Sequence, residues 1–144
     1  MKNLAFTVQG IIQVFVALGA IVCGILLMLF PSGAPLQMPE GMLRESPFHN
    51  FLVPGVILFL VNGIGQLLAG VLTFRRHPAA GYTGAIFGIG LMIWIFVQVN
   101  MIGGRNILQY SYFTFGVLET ALSFFVHDRL QARAVYPMRT DGIE

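Results

Sequence analysis

The sequence predicts an all-α polytopic membrane protein in which four transmembrane helices form one compact bundle. Of its 144 residues, 56% are hydrophobic and 10% are charged, whereas a soluble domain carries about a quarter charged residues. The apolar residues gather in four long runs, each close to the ~20 residues needed to cross a bilayer. The formal net charge is +2, and the basic residues stand at the ends of these runs. There they set orientation in a membrane, so nucleic acid is not an expected partner.

The four predicted spans cover residues 7–30, 51–74, 82–102 and 107–126. The first run is longer than the apolar core of a cleavable signal peptide, which is about 7–15 residues, so we expect a retained helix. Residues 1–128 therefore form the predicted transmembrane domain. Residues 129–144 form a predicted cytoplasmic tail that lies along the membrane surface.

Lysine and arginine residues are unequally divided between the two sides of the predicted bundle. Six fall on one side and two on the other, namely Lys2, Arg75, Arg76, Arg129, Arg133 and Arg139 against Arg44 and Arg105. Basic residues close to span ends remain in the cytoplasm, so both termini are predicted to be cytoplasmic. The loop between the first two spans then faces outward.

This first outer loop carries its own helix signals. Pro39 and Glu40 suit the first turn of a short amphipathic helix that extends to Glu45 and rests on the membrane surface. Ser46 and Pro47 then match an N-cap and a first helical residue. The helix that carries the second span is therefore predicted to begin at this Ser-Pro pair, ahead of the apolar run that starts at residue 51.

Proline and glycine residues mark predicted bends and close contacts. Pro54 removes a backbone donor and is predicted to bend the second span near its outer end, with Gly55 allowing a neighbour to approach. Gly84 and Gly88 form a G-x-x-x-G motif in the third span. That motif is equally compatible with a dimer contact and with a contact inside the monomer.

Each span also carries a stripe of small and polar residues, which in lipid turns toward other helices. Gln13, Gln66 and Glu119 belong to three of these stripes. Counted from the cytoplasmic ends, they lie at similar depths in the inner half of the bundle and are predicted to form one polar cluster. Asn62 lies one turn above Gln66.

Glu119 is the only acidic residue within the predicted spans, and it admits two interpretations. An ionisable side chain inside a membrane is costly, which favours a role as proton carrier or cation ligand. Alternatively, the group is protonated or hydrogen-bonded to an amide and sets helix register. The lack of a second charge in any span argues against a proton relay.

Trp94, Gln98 and Tyr112 form a second group in the outer half. Trp94 and Gln98 lie one turn apart and are suited to line a small pocket; alternatively, the tryptophan simply packs against a neighbouring helix. The predicted ligand-binding residues are therefore Gln13, Asn62, Gln66, Trp94, Gln98, Tyr112 and Glu119.

Signatures of an enzyme or a metal site are missing from the sequence. His49, His77 and His127 have no metal-ligand spacing on a predicted helix. Cys23 is the only cysteine, so no disulfide forms within the chain. There is no nucleophile elbow, phosphate loop or haem motif. We therefore expect neither an enzymatic activity nor a cofactor.

Three stretches within residues 38–104 carry a resemblance to known proteins: "SPF" before the second span, Pro54-Gly55 within it, and "IWIFVQVNMIG" near the outer end of the third. They resemble a family of small bacterial four-helix integral membrane proteins. In length and helix number the chain is also distantly similar to the DoxX-like membrane proteins. The resemblance implies a compact bundle in the bacterial cytoplasmic membrane and carries over no catalytic or binding residue.

Two functions remain open. The first is a binding or accessory protein that holds a lipid or small hydrophobic molecule, or stabilises a partner membrane complex. The second is a small transporter or channel, coupled to protons through Glu119 and oligomeric because four helices enclose little space. The charge-poor spans favour the first. Expected partners are membrane lipids and either further copies of the chain or another membrane protein.

Overall fold

The computed structural model describes residues 3–38, 40–102 and 106–136, and these residues form four long helices and no strand. The helices are α1 (Leu4–Leu29), α2 (Leu52–Phe74), α3 (Ala80–Ile102) and α4 (Ile107–Val135). Two short 3₁₀ helices, Ala34–Leu36 and Glu40–Leu43, lie between α1 and α2. The all-α prediction is thereby confirmed for this part of the chain.

Three of the helices in the described residues are long and apolar enough to cross a membrane: Leu4–Leu29, Leu52–Phe74 and Ala80–Met101. These three agree with the predicted spans to within a few residues. The last helix, α4, starts where predicted but continues past residue 126 to Val135, with Arg133 in its last turn. The first part of the predicted tail is therefore helical, and the rest, residues 137–144, lies outside the described residues.

The start of α2 differs from its prediction. The Ser46 hydroxyl donates to the Leu43 carbonyl at 2.9 Å and accepts from the Phe48 N–H at 3.3 Å, so it holds a bend and caps no helix. Helix α2 begins at Leu52, after Phe51. The Phe51 ring is buried, and burial of this ring requires the chain to reach the bundle before helix formation starts.

The helix of the first loop is shorter than predicted, and it packs on the bundle where the membrane surface was expected. Only Glu40–Leu43 is helical, as a 3₁₀ turn, and Pro39 lies outside the described residues. Leu43 is buried with Leu27 and Phe51. The loop therefore packs onto the end of the bundle, because its apolar side chains find partners there.

Helix α2 has an irregular middle. Its α-helical ends, Leu52–Ile57 and Gln66–Phe74, flank a π-helical segment at Leu58–Gly65. Pro54, predicted to bend the span, lies in the first turn, where the missing N–H breaks no intrahelical bond. The backbone departs from α-helical geometry one turn later, where the π-helical segment begins. Such segments are rare and are often found at functional sites.

Glycines allow the closest helix contacts. Gly88 of α3 faces Gly116 of α4, where an added Cβ would lie 3.0 Å from the Gly88 carbonyl oxygen. Helices α3 and α4 accordingly make an extensive contact, second in the bundle only to that between α1 and α2. Both glycines of the Gly84/Gly88 motif thus face neighbours inside the monomer, which is one of the two predicted uses. Gly55 meets Leu27 of α1 in a similar way, as predicted.

The bundle is apolar outside and polar inside. Large apolar side chains such as Ile11, Phe96 and Phe124 are more than half exposed. By contrast, the largest fully buried side chains include Gln9, Gln13, Gln66 and Glu119. This distribution suits a lipid environment, which solvates apolar surface and leaves polar groups to bond with one another.

Candidate functional site

The seven predicted site residues fall into two groups along the bundle axis. We call the end that carries residues 30–51 the loop end and the opposite end the terminal end. Gln13, Gln66 and Glu119 meet on the terminal-end side. Asn62, Trp94, Gln98 and Tyr112 line a cavity on the loop-end side.

Glu119 lies at the centre of the first group. Its Oε1 accepts from Gln13 Nε2 at 2.9 Å, and its Oε2 accepts from Gln66 Nε2 at 2.8 Å. All three side chains are fully buried. The contact predicted from helical spacing and depth is therefore confirmed.

Three further residues complete this group, and we call the six together the polar cluster: Gln9, Gln13, Gln66, Thr73, Glu119 and Ser123. Thr73 donates its hydroxyl to Gln13 Oε1 at 2.8 Å. Gln9 Nε2 donates to Ser123 Oγ at 2.8 Å, and the Ser123 hydroxyl donates to the Glu119 backbone carbonyl at 2.7 Å. These three were not predicted as site residues, although Gln9 and Ser123 each lie four residues from a predicted member on the same helix face.

Helix α3 contributes mainly backbone to the polar cluster. An added Cβ at Gly84 would collide with Gln9 Nε2 and Ser123 Oγ. The Phe87 carbonyl lies 3.4 Å from Gln66 Nε2 and accepts from it. The absence of a side chain at Gly84 is thus what allows α1 and α4 to bond across the face of α3.

The polar cluster can satisfy Glu119 with or without a proton. The Thr73 hydroxyl lies 2.8 Å from Gln13 Oε1 and 2.9 Å from the Ala69 carbonyl, but its single proton serves one acceptor at a time. If it turns to Ala69, the Gln13 amide can turn over, so that its Nε2 donates to Thr73 and its Oε1 accepts a hydrogen bond from a protonated Glu119. Among the described residues no basic side chain pairs with Glu119.

The second group lines a cavity of about 580 Å³. All four helices and the first loop contribute to its wall. Among the described residues, those that line it are apolar or neutral, and none carries a charge. A volume of this size lies within the range of small-molecule sites, about 300–1,000 Å³.

Asn62 is the exceptional residue of the cavity wall. Its side chain is 1% exposed, yet neither Nδ2 nor Oδ1 has a hydrogen-bond partner among the described residues. A buried polar group without a partner costs about 1–3 kcal/mol, and native proteins leave few of them. Asn62 belongs to the π-helical segment, so the irregular part of α2 also contributes this residue to the cavity wall.

Trp94, Gln98 and Tyr112 surround the same space. Trp94 lines the cavity and also packs against the buried cluster of Val16, Leu91 and Ile95, so the two alternatives predicted for it are compatible. The Tyr112 hydroxyl lies against α1, where an added Cβ at Gly19 would be 2.8 Å from it. Cys23 lines the cavity as well, a position that its apolar surroundings in the sequence did not indicate.

Comparison of the chain with known protein families, with curated proteins and with solved structures finds no match. The resemblance to small bacterial four-helix membrane proteins therefore stays a prediction. A functional proposal for this chain must rest on the polar cluster and on the residues that line the cavity.

Proposed function

We propose that the protein is a four-span integral membrane protein that binds a small hydrophobic molecule in the cavity at its loop end. The observation that carries this proposal is the Asn62 amide, which is buried in the cavity wall with both polar atoms unpartnered. A bound molecule would supply the missing partner. The apolar remainder of the wall would take up the rest of that molecule.

The proposal includes a membrane crossing by α4. Between Ile107 and Phe125 the exposed side chains of α4 are mainly apolar or aromatic, as at Phe113 and Val117, and Glu119 faces inward. The polar cluster lowers the hydropathy of this helix but is hidden from lipid. A residue count of about 20 at about 1.5 Å each is enough for a bilayer of about 30 Å.

We place the protein in a bacterial cytoplasmic membrane with both termini in the cytoplasm. Among the described residues, the terminal end has Arg75, Arg76, Arg129 and Arg133, and the loop end has Arg44. The other basic residues that entered the prediction, Lys2, Arg105 and Arg139, lie outside the described residues.

This topology can be tested with single cysteines in a Cys23→Ser background. Ser32 and Val135 are exposed at opposite ends of the bundle. A membrane-impermeant maleimide should label Ser32→Cys in intact cells and Val135→Cys only after lysis. Labelling of both in intact cells would contradict a crossing by α4.

Ligand binding can be tested by native mass spectrometry of the protein released from a mild detergent. The wild-type protein should carry a defined additional mass. Asn62→Leu keeps the size of the side chain but removes its polar atoms, and it should lose that mass. A bare wild-type monomer, together with an unaltered spectrum after incubation with lipid extract, would refute the proposal. The same spectra would reveal a stable homo-oligomer or a bound membrane-protein partner.

A second candidate function is proton-coupled transport by an oligomer. The observation that favours it is the buried carboxyl of Glu119, whose neighbour Gln13, itself bonded to Thr73, can hydrogen-bond to either protonation state. Under this proposal Glu119→Gln abolishes a flux driven by a pH gradient in proteoliposomes while the protein remains folded. Equal flux in both proteins would refute it.

A further inference from the structure

The position of Asn62 defines the depth at which a bound molecule would meet the protein. From Leu52 to Asn62, at about 1.5 Å per residue, the chain descends about 15 Å from the loop end of α2, which is near the middle of a bilayer. The polar head of a bound molecule would therefore lie deep, and its chain would extend toward the loop end. This orientation is opposite to that of a phospholipid in the adjacent leaflet.

Charge limits what such a head can be. The described residues that line the cavity include no acid and no base that would compensate an ion. An uncompensated charge at this depth is costly. A phosphate, carboxylate or ammonium head is therefore disfavoured, and a neutral head is favoured.

Hydrogen-bond chemistry narrows the head further. Asn62 presents an unpartnered donor, Nδ2, and an unpartnered acceptor, Oδ1. A hydroxyl group can accept from the first and donate to the second, whereas a ketone or ester carbonyl can only accept. Only a head with both functions satisfies the whole amide.

The remaining wall suits an unbranched apolar chain. Toward the loop end the lining includes flexible apolar side chains, namely Leu36, Met38, Met42 and Leu43, beside the neutral amides of Gln37, Gln98, Asn106 and Gln109. Methionine and leucine adapt to irregular apolar shapes. On these grounds, and resting on the ligand-binding function proposed above, we propose that the cavity takes an uncharged amphiphile whose hydroxyl group bonds to Asn62, such as a long-chain alcohol.

The chain carries its own reporters for a test. Its single tryptophan, Trp94, and its single cysteine, Cys23, both line the cavity. Tryptophan emission and protection of the thiol from a small maleimide therefore report on the same space without any engineered label.

The test compares three probes of equal chain length, 1-decanol, 2-decanone and decyl sulfate, added to the protein in lipid nanodiscs. We expect 1-decanol to alter Trp94 emission saturably and to protect Cys23. It should do so at a concentration in the lipid about tenfold lower than either other probe requires. The reason is that 2-decanone cannot donate a hydrogen bond to Asn62, and decyl sulfate brings an uncompensated charge. In Asn62→Leu the concentrations for 1-decanol and 2-decanone should become equal.

The remaining outcomes distinguish a failure of the inference about the hydroxyl head from a failure of the proposed ligand-binding function. If all three probes act at the same concentration, or if decyl sulfate acts at the lowest, the inference about the hydroxyl head is wrong while the cavity still binds amphiphiles. If the probes act as expected but Asn62→Leu retains the tenfold preference, Asn62 does not select the head and the inference fails. If no probe alters either reporter, the ligand-binding function itself is refuted.

Discussion

Gln66 on α2 and Asn62 one turn before it have the same chemical group in opposite situations. The Gln66 amide donates to Glu119 Oε2 at 2.8 Å, whereas the Asn62 amide has no partner among the described residues. The two face different spaces, the polar cluster and the cavity. The amides of the polar cluster therefore stabilise the bundle, whereas the Asn62 amide does not. Substitutions at these positions should differ in their effect on the free energy of unfolding.

Asn62→Leu should raise the stability of the ligand-free protein. The substitution removes two buried polar atoms without partners, and each such group costs about 1–3 kcal/mol. The matched control is Gln66→Leu, a similar change one turn away, which should lower stability because it leaves a Glu119 oxygen without its donor. Thermal unfolding of both variants in the same detergent measures the two effects. A loss of stability in Asn62→Leu would mean that the amide already has a partner in the folded protein.

Glu119→Leu should destabilise the fold much more than Glu119→Gln. Leucine leaves Gln13 Nε2 without an acceptor, at a cost of about 1–3 kcal/mol, and leaves Gln66 Nε2 with the Phe87 carbonyl alone, at 3.4 Å. Glutamine retains one acceptor, and Gln66 can turn over to accept from its amide, because Gln66 Oε1 has no partner among the described residues. The comparison is made by unfolding in increasing SDS fraction. Equal midpoints for the two variants would show that the cluster does not depend on an acceptor at position 119.

Thr73→Val should cost about 0.5–1.5 kcal/mol, because Gln13 Oε1 loses the hydroxyl that donates to it. Thr83→Val is the matched control. The Thr83 hydroxyl donates only within its own helix, to Ala79 or Ala80, and it supports no other side chain. This control should be close to neutral in the same unfolding assay. A similar loss in both variants would point to an effect of valine on helices rather than to the hydrogen bond between α1 and α2.

Gly84→Ala should lower the stability of the protein, because it pushes α3 away from the polar cluster. Its Cβ would overlap with Gln9 Nε2 and Ser123 Oγ, and overpacking of this kind costs about 1–3 kcal/mol. Gly90 lies on the same helix with no heavy atom within 4 Å of an added Cβ. Gly90→Ala should therefore be neutral or slightly stabilising, since alanine favours helix. Equal unfolding midpoints for the two variants would show that the close contact at Gly84 does not contribute to stability.

Much of this arrangement follows from the sequence because lipid imposes simple rules. Apolar runs of about 20 residues locate α1, α2 and α3. Helical spacing brings Gln13, Gln66 and Glu119 to a common depth, and buried amides and carboxylates must bond to each other. These inferences need only the period and the rise of a helix.

Other features depend on packing that no local pattern records. The start of α2 at Leu52 follows from burial of Phe51 against the loop, which overrides the helix signals of Ser46 and Pro47. The π-helical segment Leu58–Gly65 has no sequence signature beyond its glycines. The cavity likewise arises from the spaces between elements, so Cys23 could not be assigned to it beforehand.

The hydrogen bonds of the polar cluster also bear on biosynthesis. Gln13 and Glu119 are separated by 106 positions and Gln9 and Ser123 by 114, so α1 leaves the ribosome well before α4, the helix to which it bonds. Until α4 has been made, the glutamines of α1 lie in the bilayer without these acceptors, and such groups are unfavourable there. A truncated or stalled chain would thus expose amides to the lipid, a mark that membrane quality control can recognise. The bundle therefore closes only when α4 has joined α1.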